Sequence, residues 1–387
     1  MRSEYLKHYE DLIFAYNKIF HLKESDIFEE IWNIIAKILI KKYNVKIIAL
    51  VNHLDSSMSY NYRSVKFYAK IINHIFAIYS NSEINERYCS SFSEFYGFKF
   101  VKNNANILQI DLNSIQFPKQ NEMHFFIMYD QIDKFKEYIV NNTFVDTIEI
   151  FPHYRLTPLE ASAYYGSVNV FNFLLSNFGQ KISTNCLNFA LISGNTDIIN
   201  ECLKVQKIDR SLLRDILLSH NDEFLEYIFD HDLFKPEDFD IEDILSSQNI
   251  KAVIFMFEKD KNSIFPWCAA FPRILEILKN EKVDYTKLTS RRQTCFHFAA
   301  RFNALDNCKF LSALHQIDIN ARDMINETAL HIASYNNNVE IVKFLLSNGA
   351  DVDVKNISGE SPLHCASRDN FNYIVEHLFI VKQLIIA

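Results

Sequence analysis

Three six-residue segments with one pattern recur at almost constant spacing in the C-terminal part of the chain. Thr294-Cys-Phe-His-Phe-Ala299 is followed 34 residues later by Thr328-Ala-Leu-His-Ile-Ala333, and 33 residues after that by Ser361-Pro-Leu-His-Cys-Ala366. Self-similarity at such a period is the signature of stacked supersecondary units that share one continuous core. The repeat therefore constrains the fold more than any other feature of this sequence.

The residues of the repeat predict two helices in each unit. Thr328 and Ser361 are suited to cap a helix N-terminus, and Pro362 suits the first helical position, where no N–H is needed. Residues 338–346 place apolar side chains at helical spacing and predict a second helix. Gly349 suits a left-handed residue that ends this helix. Each unit is thus expected to be a helix pair followed by a turn.

A period of about 33 residues with a T-P-L-H-x-A signature is typical of ankyrin repeats, and residues 285–383 resemble the ankyrin repeat family. The resemblance implies an all-α fold, an ankyrin-repeat solenoid whose helix pairs bury their apolar faces against one another. Weaker units are expected upstream, with the clearest at Thr157-Pro-Leu-Glu-Ala-Ser162 and Asn185–Ala190 and others at 122–141, 211–230, 240–258 and 266–281. Roughly nine units are expected in all.

Residues 1–120 show no repeat and are predicted to be helical. Helices are expected at about 8–21, 25–43, 44–56, 61–80 and 90–97, and a linker at 103–119. The predicted division is a helical N-terminal domain of unknown function at 1–120, degenerate repeats at 121–290, and well-matched repeats with a C-terminal cap at 291–387. This layout resembles large protist ankyrin repeat proteins, whose N-terminal region has no assigned activity, so the resemblance implies architecture and no chemistry.

The balance of residue types indicates a helical chain in a reducing, cytoplasmic setting. Only 6 Gly and 7 Pro occur in 387 residues, and the net charge is −8. Residues 1–120 hold 15 Lys and Arg against 12 Asp and Glu, whereas the remainder holds 25 against 36, which opposes nucleic-acid binding. Neither a cleavable signal nor an apolar membrane segment is recognised. The seven cysteines, Cys89 among them, are scattered without a CxxC pair.

The sequence carries no recognisable catalytic motif. Glycine-rich phosphate loops, the H-E-x-x-H zinc pattern and the G-x-S-x-G nucleophile pattern are all missing. His297, His331 and His364 recur at the repeat spacing, but neighbouring units about 10 Å apart hold them too far from one another to share a zinc ion. Each imidazole is instead expected to bond the adjacent turn.

The cysteines of the clear repeats, Cys295, Cys308 and Cys365, are expected to be buried as small apolar residues rather than reactive thiols. Acidic pairs such as Glu29–Glu30 are expected to be solvated helix faces. We therefore expect no enzyme activity, no cofactor and no metal. The sequence does not decide the oligomeric state.

A partner-binding surface is expected on the three clear units, because the turn tips and the first helices of ankyrin arrays form a concave face. By resemblance, the solvent-facing positions predicted to bind a partner protein are Arg291, Arg301, Phe302, Arg322, Met324, Ile325, Tyr335, Lys355, Ile357 and Arg368. Asp369 is expected at the same face. Large apolar and Arg side chains at exposed positions are typical of interface anchors. Arg291, Arg292 and Arg301 also form a small basic spot, for which a solvated turn is favoured over a phosphate or acidic-partner site.

The function expected from these features is that of a non-catalytic scaffold that binds a partner protein on the concave face. Two alternatives stay open. One is an adaptor or enzyme whose activity lies in residues 1–120, which would require clustered polar side chains in a pocket there. The other is a membrane-associated effector that uses the basic, Ile-rich N-terminal helices, for which the slight positive charge is the support.

Overall fold

The computed structural model describes residues 2–79, 91–102, 107–152, 154–279, 281–368 and 371–386. Helices dominate these residues and the two strand pairs are short, so the fold is all-α, as the sequence predicted. The chain forms two compact units. The N-terminal unit is Tyr9–Phe234 with Asp238–Asn249, and the C-terminal unit is Met1–His8, Lys235–Glu237 and Ile250–Ala387.

The N-terminal unit begins with a helical region that follows α1 (Arg2–His8), which itself belongs to the C-terminal unit. Its elements are α2 (Glu10–Phe20), α3 (Phe28–Ile34) with a π-helical continuation (Ile35–Lys42), α4 (Ile47–Tyr60), a 3₁₀ turn (Tyr62–Ser64), α5 (Val65–Ile78) and α6 (91–96). Helix α2 shows why they form: Leu12, Ala15, Tyr16 and Ile19 lie on one buried face at helical spacing. The helices predicted from the sequence lie within a few residues of these elements.

A strand pair occupies part of the segment predicted to be a linker. Strand β1 (Phe100–Lys102) pairs antiparallel with β2 (Leu108–Ile110). The Asn73 side chain of α5 bonds both backbone groups of Ile110, at 2.7 Å to the N–H and 2.9 Å to the carbonyl oxygen. Ile110 and Ile115 are buried. The linker prediction for 103–119 is therefore wrong here, because isolated apolar residues anchor a segment that shows no periodicity.

Helix pairs follow in the N-terminal unit, with one strand pair between the first two. The elements are α7 (Met123–Met128), α8 (Ile132–Asn141), β3 (Ile148–Phe151), β4 (Tyr154–Leu156), α9 (Pro158–Tyr165), α10 (Val168–Phe178), α11 (Thr184–Ser193), α12 (Thr196–Leu203), α13 (Ser211–Leu218), α14 (Asp222–Asp230) and α15 (Ile241–Ser247).

The C-terminal unit contains the helices of the three clear repeats. Its elements after α1 are α16 (Ile250–Lys259), a 3₁₀ turn (Trp267–Ala270), α17 (Ile274–Leu278), α18 (Cys295–Arg301), α19 (Leu305–Leu314), α20 (Ala329–Tyr335), α21 (Val339–Ser347), α22 (Pro362–Arg368) and α23 (Asn372–Ile386). Pro362 opens its helix as predicted, and Gly349 has the expected positive φ, at 87°. Thr294, Thr328 and Ser361 stand immediately before equivalent helices.

Residues with positive φ connect the first and second helices of the repeats and reveal their true period. Asn303 and Asn337 are 34 residues apart, whereas Gly166, Gly194 and His220 follow one another at 28 and 26 residues. The shorter period arises because the connections 179–183 and 204–210 have 5 and 7 residues, whereas the connection 315–328 between α19 and α20 has 14. The sequence repeat therefore weakens upstream because part of the unit is missing, although the helix pair persists.

Among the described residues, no helix combines the length and apolar character needed to cross a bilayer.

Candidate protein-binding site

Each clear repeat begins with a tight turn, here called a finger, that projects before the first helix. In the second repeat the finger is closed by Asp323, whose carboxylate accepts the N–H groups of Ile325 and Glu327 at 3.0 and 2.9 Å. Asn326 takes the left-handed conformation at the tip, with φ of 58°. Asn356 closes the next finger in the same way, through the N–H groups of Ser358 and Glu360. The Asp323 and Asn356 side chains therefore fix the backbone conformation of the two fingers.

Neighbouring fingers are also bonded to one another. The Met324 N–H donates to the Arg291 carbonyl oxygen at 3.0 Å, and the Ile357 N–H donates to the Ile325 carbonyl oxygen at 3.0 Å. The backbone of the finger tips is therefore held in register across three repeats. A preorganised row of this kind binds a partner with little further loss of conformational entropy.

The repeat histidine ties each first helix to the following finger. In the second repeat, His331 Nδ1 accepts the Thr328 N–H at 3.2 Å, so Nε2 carries the proton and donates to the Glu360 carbonyl oxygen at 3.2 Å. His297 makes the equivalent bonds, to the Thr294 N–H and to the carbonyl of residue 327. Burial lowers the pKa of both imidazoles, which keeps them neutral.

His364 differs from the other two histidines. Its Nδ1 accepts the Ser361 N–H at 3.2 Å, but the side chain is exposed and its Nε2 has no hydrogen bond within the described part of the chain. The prediction that these imidazoles bond an adjacent turn is confirmed for His297 and His331. For His364 only the bond to its own helix cap is present.

A carboxylate takes the place of this histidine in the N-terminal unit. Glu160 accepts the Thr157 N–H at 3.0 Å and, through its other oxygen, the Ser183 hydroxyl at 2.9 Å. Ser183 is itself the cap of α11. Burial opposes ionisation, but the hydrogen bonds from Thr157, Ser183 and Asn185 outweigh it and lower the Glu160 pKa.

The residues predicted to bind a partner lie on the fingers and at the ends of the first helices. We call this surface the open face. Nine of the ten are exposed, and Phe302 is half-buried: Arg291, Arg301, Arg322, Met324, Ile325, Tyr335, Lys355, Ile357, Arg368 and Phe302. Met324 is 62% exposed, Ile325 43% and Ile357 66%, and all three lie on fingers that are bonded to one another. Asp369 lies outside the described residues.

The position seven residues after each cap, here called the seventh position, forms the second row of the open face. It holds Arg301, Tyr335 and Arg368. The Arg368 guanidinium lies 5.3 Å from the centre of the Tyr335 ring and 3.5 Å from a Glu360 carboxylate oxygen. A guanidinium at this distance over an aromatic ring is attracted by the ring, and the pairing with Glu360 restricts the arginine further. The row is thus ordered across two adjacent repeats.

In the N-terminal unit, the seventh position is already covered by another part of the chain. Tyr164, seven residues after Thr157, is buried, whereas Tyr335 is 52% exposed. The Tyr164 hydroxyl donates to the Ser59 carbonyl oxygen at 2.7 Å and accepts the Tyr62 N–H at 3.2 Å. The Tyr164 hydroxyl therefore forms hydrogen bonds with both a carbonyl and an N–H of the segment that joins α4 to the 3₁₀ turn.

Arg63, next in that segment, inserts beside the neighbouring first-helix ends. Its guanidinium donates to the Met128 and Tyr165 carbonyl oxygens and lies 5.7 Å from the ring centres of Tyr129 and Tyr165. Further along, the His220 ring stacks on Phe20 of α2 at 4.2 Å. The helical N-terminal region thus covers the surface that corresponds to the open face. Sequence reasoning missed this coverage, because its contacts join residues about a hundred positions apart.

The cysteines and histidines show no arrangement for chemistry in the described residues. The six described cysteines are buried and unpaired with one another, while Cys89 lies outside the described residues. Burial raises the pKa of Cys295 and Cys308 to about 12 and that of Cys365 to about 11, which suppresses the reactive thiolate. No group of His, Cys, Asp or Glu in the described part is arranged to hold a metal ion.

Comparison with protein families assigns the repeats. The family described as "Ankyrin repeats (3 copies)" matches residues 265–356 and, in an overlapping match, 296–385. The C-terminal unit contains ankyrin repeats. A second family, "Domain of unknown function (DUF3447)", matches residues 178–256, which include the shorter helix pairs without fingers. The ankyrin resemblance stated from the sequence is therefore confirmed for the clear repeats, and the region upstream carries a different family match.

Several longer proteins share parts of this chain. Alpha-latrocrustotoxin-Lt1a of Latrodectus tredecimguttatus is 41% identical over 76 residues, which cover 20% of this chain and 5% of the toxin. NAD-dependent deacetylase sir2B of Dictyostelium discoideum is 23% identical over 295 residues, or 72% of this chain and 36% of the deacetylase. Palmitoyltransferase akr1 of Schizosaccharomyces pombe is 47% identical over 55 residues, 14% of this chain and 9% of the enzyme. The chain spans about a third or less of the length of these relatives.

Proposed function

We propose that this protein is a non-catalytic scaffold whose open face binds a partner protein. The observation that carries the proposal is the contrast between two tyrosines at the seventh position. Tyr164 is buried under a segment of the same chain and bonds its backbone, whereas Tyr335 is exposed and has Arg368 over its ring. In the N-terminal unit this surface binds a segment of the same chain. In the C-terminal unit the corresponding surface is exposed to solvent.

The composition of the open face supports this role. Arginine and aromatic residues dominate the binding energy of protein interfaces, and exposed apolar clusters mark such sites. Arg301 and Tyr335 stand at equivalent positions of neighbouring ankyrin repeats, and Met324 and Ile357 are exposed on the bonded fingers. The partner would therefore find its anchors already in place.

The comparisons fit a shared binding module better than a shared reaction. Two of the matched relatives are named for different reactions, NAD-dependent deacetylation and palmitoyl transfer, and another is named as a toxin. We infer that repeats, and no common chemistry, account for the similarity. Accordingly the proposal includes neither a cofactor nor a nucleic-acid partner.

A reducing, cytoplasmic location belongs to the same proposal. Its support is the state of the six described cysteines, which are buried and form no disulfide. Proteins of oxidising compartments generally use such residues in disulfides.

Affinity capture from the native cell with the full chain tests the function. Proteins captured by the unaltered chain are compared with those captured by a double variant, Arg301→Ala with Tyr335→Ala. A matched control is Lys309→Ala with Glu340→Ala, two exposed residues of the second helices α19 and α21. We expect a protein that the control retains and the double variant loses. Equal capture by all three folded chains would reject the open face as the binding surface.

A further inference from the structure

The open face carries positive charge on a chain that is acidic as a whole. Five of its exposed residues are cationic: Arg291, Arg301, Arg322, Lys355 and Arg368. The chain has a formal net charge of −8. Within the described part of the chain, no carboxylate pairs with Arg291, Arg322 or Lys355. Their charges are therefore available to an incoming group.

Among the described residues, the carboxylates of the fingers leave Arg291, Arg322 and Lys355 unpaired. Asp323 is buried and accepts the N–H groups of its own finger. Glu360 pairs with Arg368. Burial raises the pKa of Glu327, with the hydrogen bond from Asn356 opposing this shift and repulsion from Asp323 and Glu360 adding to it. The outward side of the fingers thus presents cations and apolar groups together.

The apolar groups alternate with these cations from one finger to the next. The exposed Met324 and Ile325 lie beside Arg322, and the exposed Ile357 lies two residues from Lys355. Electrostatic complementarity would select the sign of a partner, while contact with these apolar side chains would supply affinity. A ligand that offers charge alone would leave the three apolar side chains in water.

In the N-terminal unit, the covered surface shows which contacts a tyrosine at the seventh position makes with a bound backbone. Tyr164 bonds a carbonyl and an N–H of the covering segment, and that segment brings a cation, Arg63, against Tyr129 and Tyr165. The positions that correspond to these two tyrosines in the ankyrin repeats are Phe302 and Asn336, flanked by Arg301 and Arg368. A basic segment that suits the first surface would be repelled by the second.

We propose that the open face binds an extended acidic segment of a partner protein, with apolar residues placed between its carboxylates. This inference rests on the proposed function and names the chemical class of the partner. The carboxylates pair with Arg291, Arg322 and Lys355, and the apolar side chains contact Met324, Ile325 and Ile357. The Tyr335 hydroxyl bonds the backbone, as Tyr164 does. Since an extended chain advances about 3.3 Å per residue and repeats lie about 10 Å apart, one repeat meets about three residues.

Peptides with a three-residue period provide the probe. A fluorescent peptide of repeated Glu-Leu-Ser triplets is compared with a Lys-Leu-Ser twin and a Glu-Ser-Ser twin, by anisotropy with the full chain. We expect the first to bind most tightly and its affinity to fall with added salt. The loss of leucine should weaken binding as well. Equal binding of the Glu-Leu-Ser and Lys-Leu-Ser peptides would overturn the inference.

Charge reversal on the protein localises the site. Arg322→Glu with Lys355→Glu should weaken the Glu-Leu-Ser peptide at least about tenfold, equivalent to about 1.4 kcal/mol, and should improve the Lys-Leu-Ser peptide. The control, Lys282→Glu with Lys309→Glu, alters net charge equally at exposed positions away from the fingers. It should change either affinity less than about twofold. An equal loss in both variants would mean that net charge alone attracts the peptide, and the inference would fail.

The native partner separates this inference from the function on which it rests. If a captured protein is lost by the Arg301→Ala, Tyr335→Ala variant but retained by the charge-reversed variant, the binding role stands and the acidic partner is wrong. If both folded variants retain it, both proposals fail. Loss in both, with retention by both controls, supports the two together. Thermal denaturation of each variant checks that it is folded.

Discussion

His331 forms hydrogen bonds with two backbone groups, which would be left without partners if its imidazole were removed. It is fully buried, it accepts the Thr328 N–H at the start of α20, and it donates to the Glu360 carbonyl in the next finger. A buried polar group that loses its partner costs about 1–3 kcal/mol. The energetic importance of the imidazole therefore depends on the bond that crosses to the next repeat.

The substitution His331→Ala is expected to lower the free energy of unfolding by about 2–3 kcal/mol, because two backbone groups lose their partner. His364→Ala is the matched control, since His364 occupies the same repeat position but is exposed and bonds only its own cap. It should cost less than about 1 kcal/mol. Urea denaturation of both variants gives the difference. Equal losses would show that the bond between repeats adds nothing to stability.

The sequence predicted individual residues well where one local contact decides their role. The cap residues Thr328 and Ser361 precede their helices as expected. Glu160 illustrates the limit: its departure from the repeat signature looked like decay, yet it bonds both Thr157 and Ser183. A Thr followed three residues later by Glu is a known capping pattern, so that half of its role was readable. The bond to Ser183 was not, because it joins two repeats.

At the scale of whole elements, the period of the sequence determined what could be predicted. Units with fingers keep a spacing of 33 or 34 residues and were located from their motif. Units without fingers shorten to 26 or 28 residues, which a search at the longer period finds only as weak helix pairs. The helices of residues 1–120 were also predictable, because apolar spacing along a helix is local. The segment around Ile110 was mistaken for a linker because non-periodic contacts hold it, among them the bonds from Asn73 and the pairing with β1.

Which elements cover one another could not be predicted. The helical N-terminal region lies on the first-helix ends of α7 and α9 through Arg63 and Tyr164. These contacts join residues about a hundred positions apart, and no pattern in the sequence links them. The same limit applies to the open face, where solvent exposure could be predicted from the repeat but the ligand could not.

Replacement of Arg63 should release the covering segment. Arg63→Met keeps much of the side-chain volume but removes the bonds to the Met128 and Tyr165 carbonyl oxygens and the contacts with two tyrosine rings. We expect amide hydrogen exchange of Tyr62 and of α5 to accelerate about 10- to 100-fold, equivalent to about 1.4–2.7 kcal/mol of local stability. Mass spectrometry of peptic fragments measures this.

Arg155→Met is the matched control for that experiment. Arg155 is exposed and pairs with Glu149 at 3.4 Å on the neighbouring strand, a contact of small energetic value. In the Arg155→Met variant, amide hydrogen exchange over residues 62–78 should equal that of the unaltered chain. Unchanged exchange in Arg63→Met as well would mean that the segment is held by other contacts, and the role assigned to Arg63 would be wrong.

At the scale of the whole molecule, the chain carries two related surfaces, of which one is covered by its own residues and the other is exposed to solvent. The N-terminal unit covers its surface with a segment that carries a cation, while the open face displays cations to solvent. The difference in sign gives each surface its own specificity, since like charges suppress the wrong contact. The N-terminal unit also buries polar side chains, among them His53 and His220. Their ionisation makes the stability of this unit depend on pH.

His53 is almost fully buried, packs edge-on against Tyr16 at 5.2 Å, and leaves Nδ1 without a hydrogen bond in the described part of the chain. Burial and then repulsion from His220 lower its pKa to about 3, and burial lowers that of His220 to about 4, with Asp222 opposing and His21 adding to this shift. An unfolded histidine has a pKa of about 6.5. The unfolded chain therefore binds more protons below that pH, and stability falls as the pH falls.

The substitution His53→Phe should preserve the aromatic contact, remove the unsatisfied nitrogen and remove one titrating group. Between about pH 6 and pH 4 we expect the loss of unfolding free energy per pH unit to shrink by about 1.4 kcal/mol, with stability at pH 7 equal or higher. Trp267→Phe in every sample leaves Trp32, in the same compact unit as His53, as the sole fluorescent reporter of urea denaturation. His231→Phe, at an exposed histidine of that unit, should keep the original slope. The same slope in His53→Phe would show that His53 takes up a proton without unfolding, against the burial on which this prediction depends.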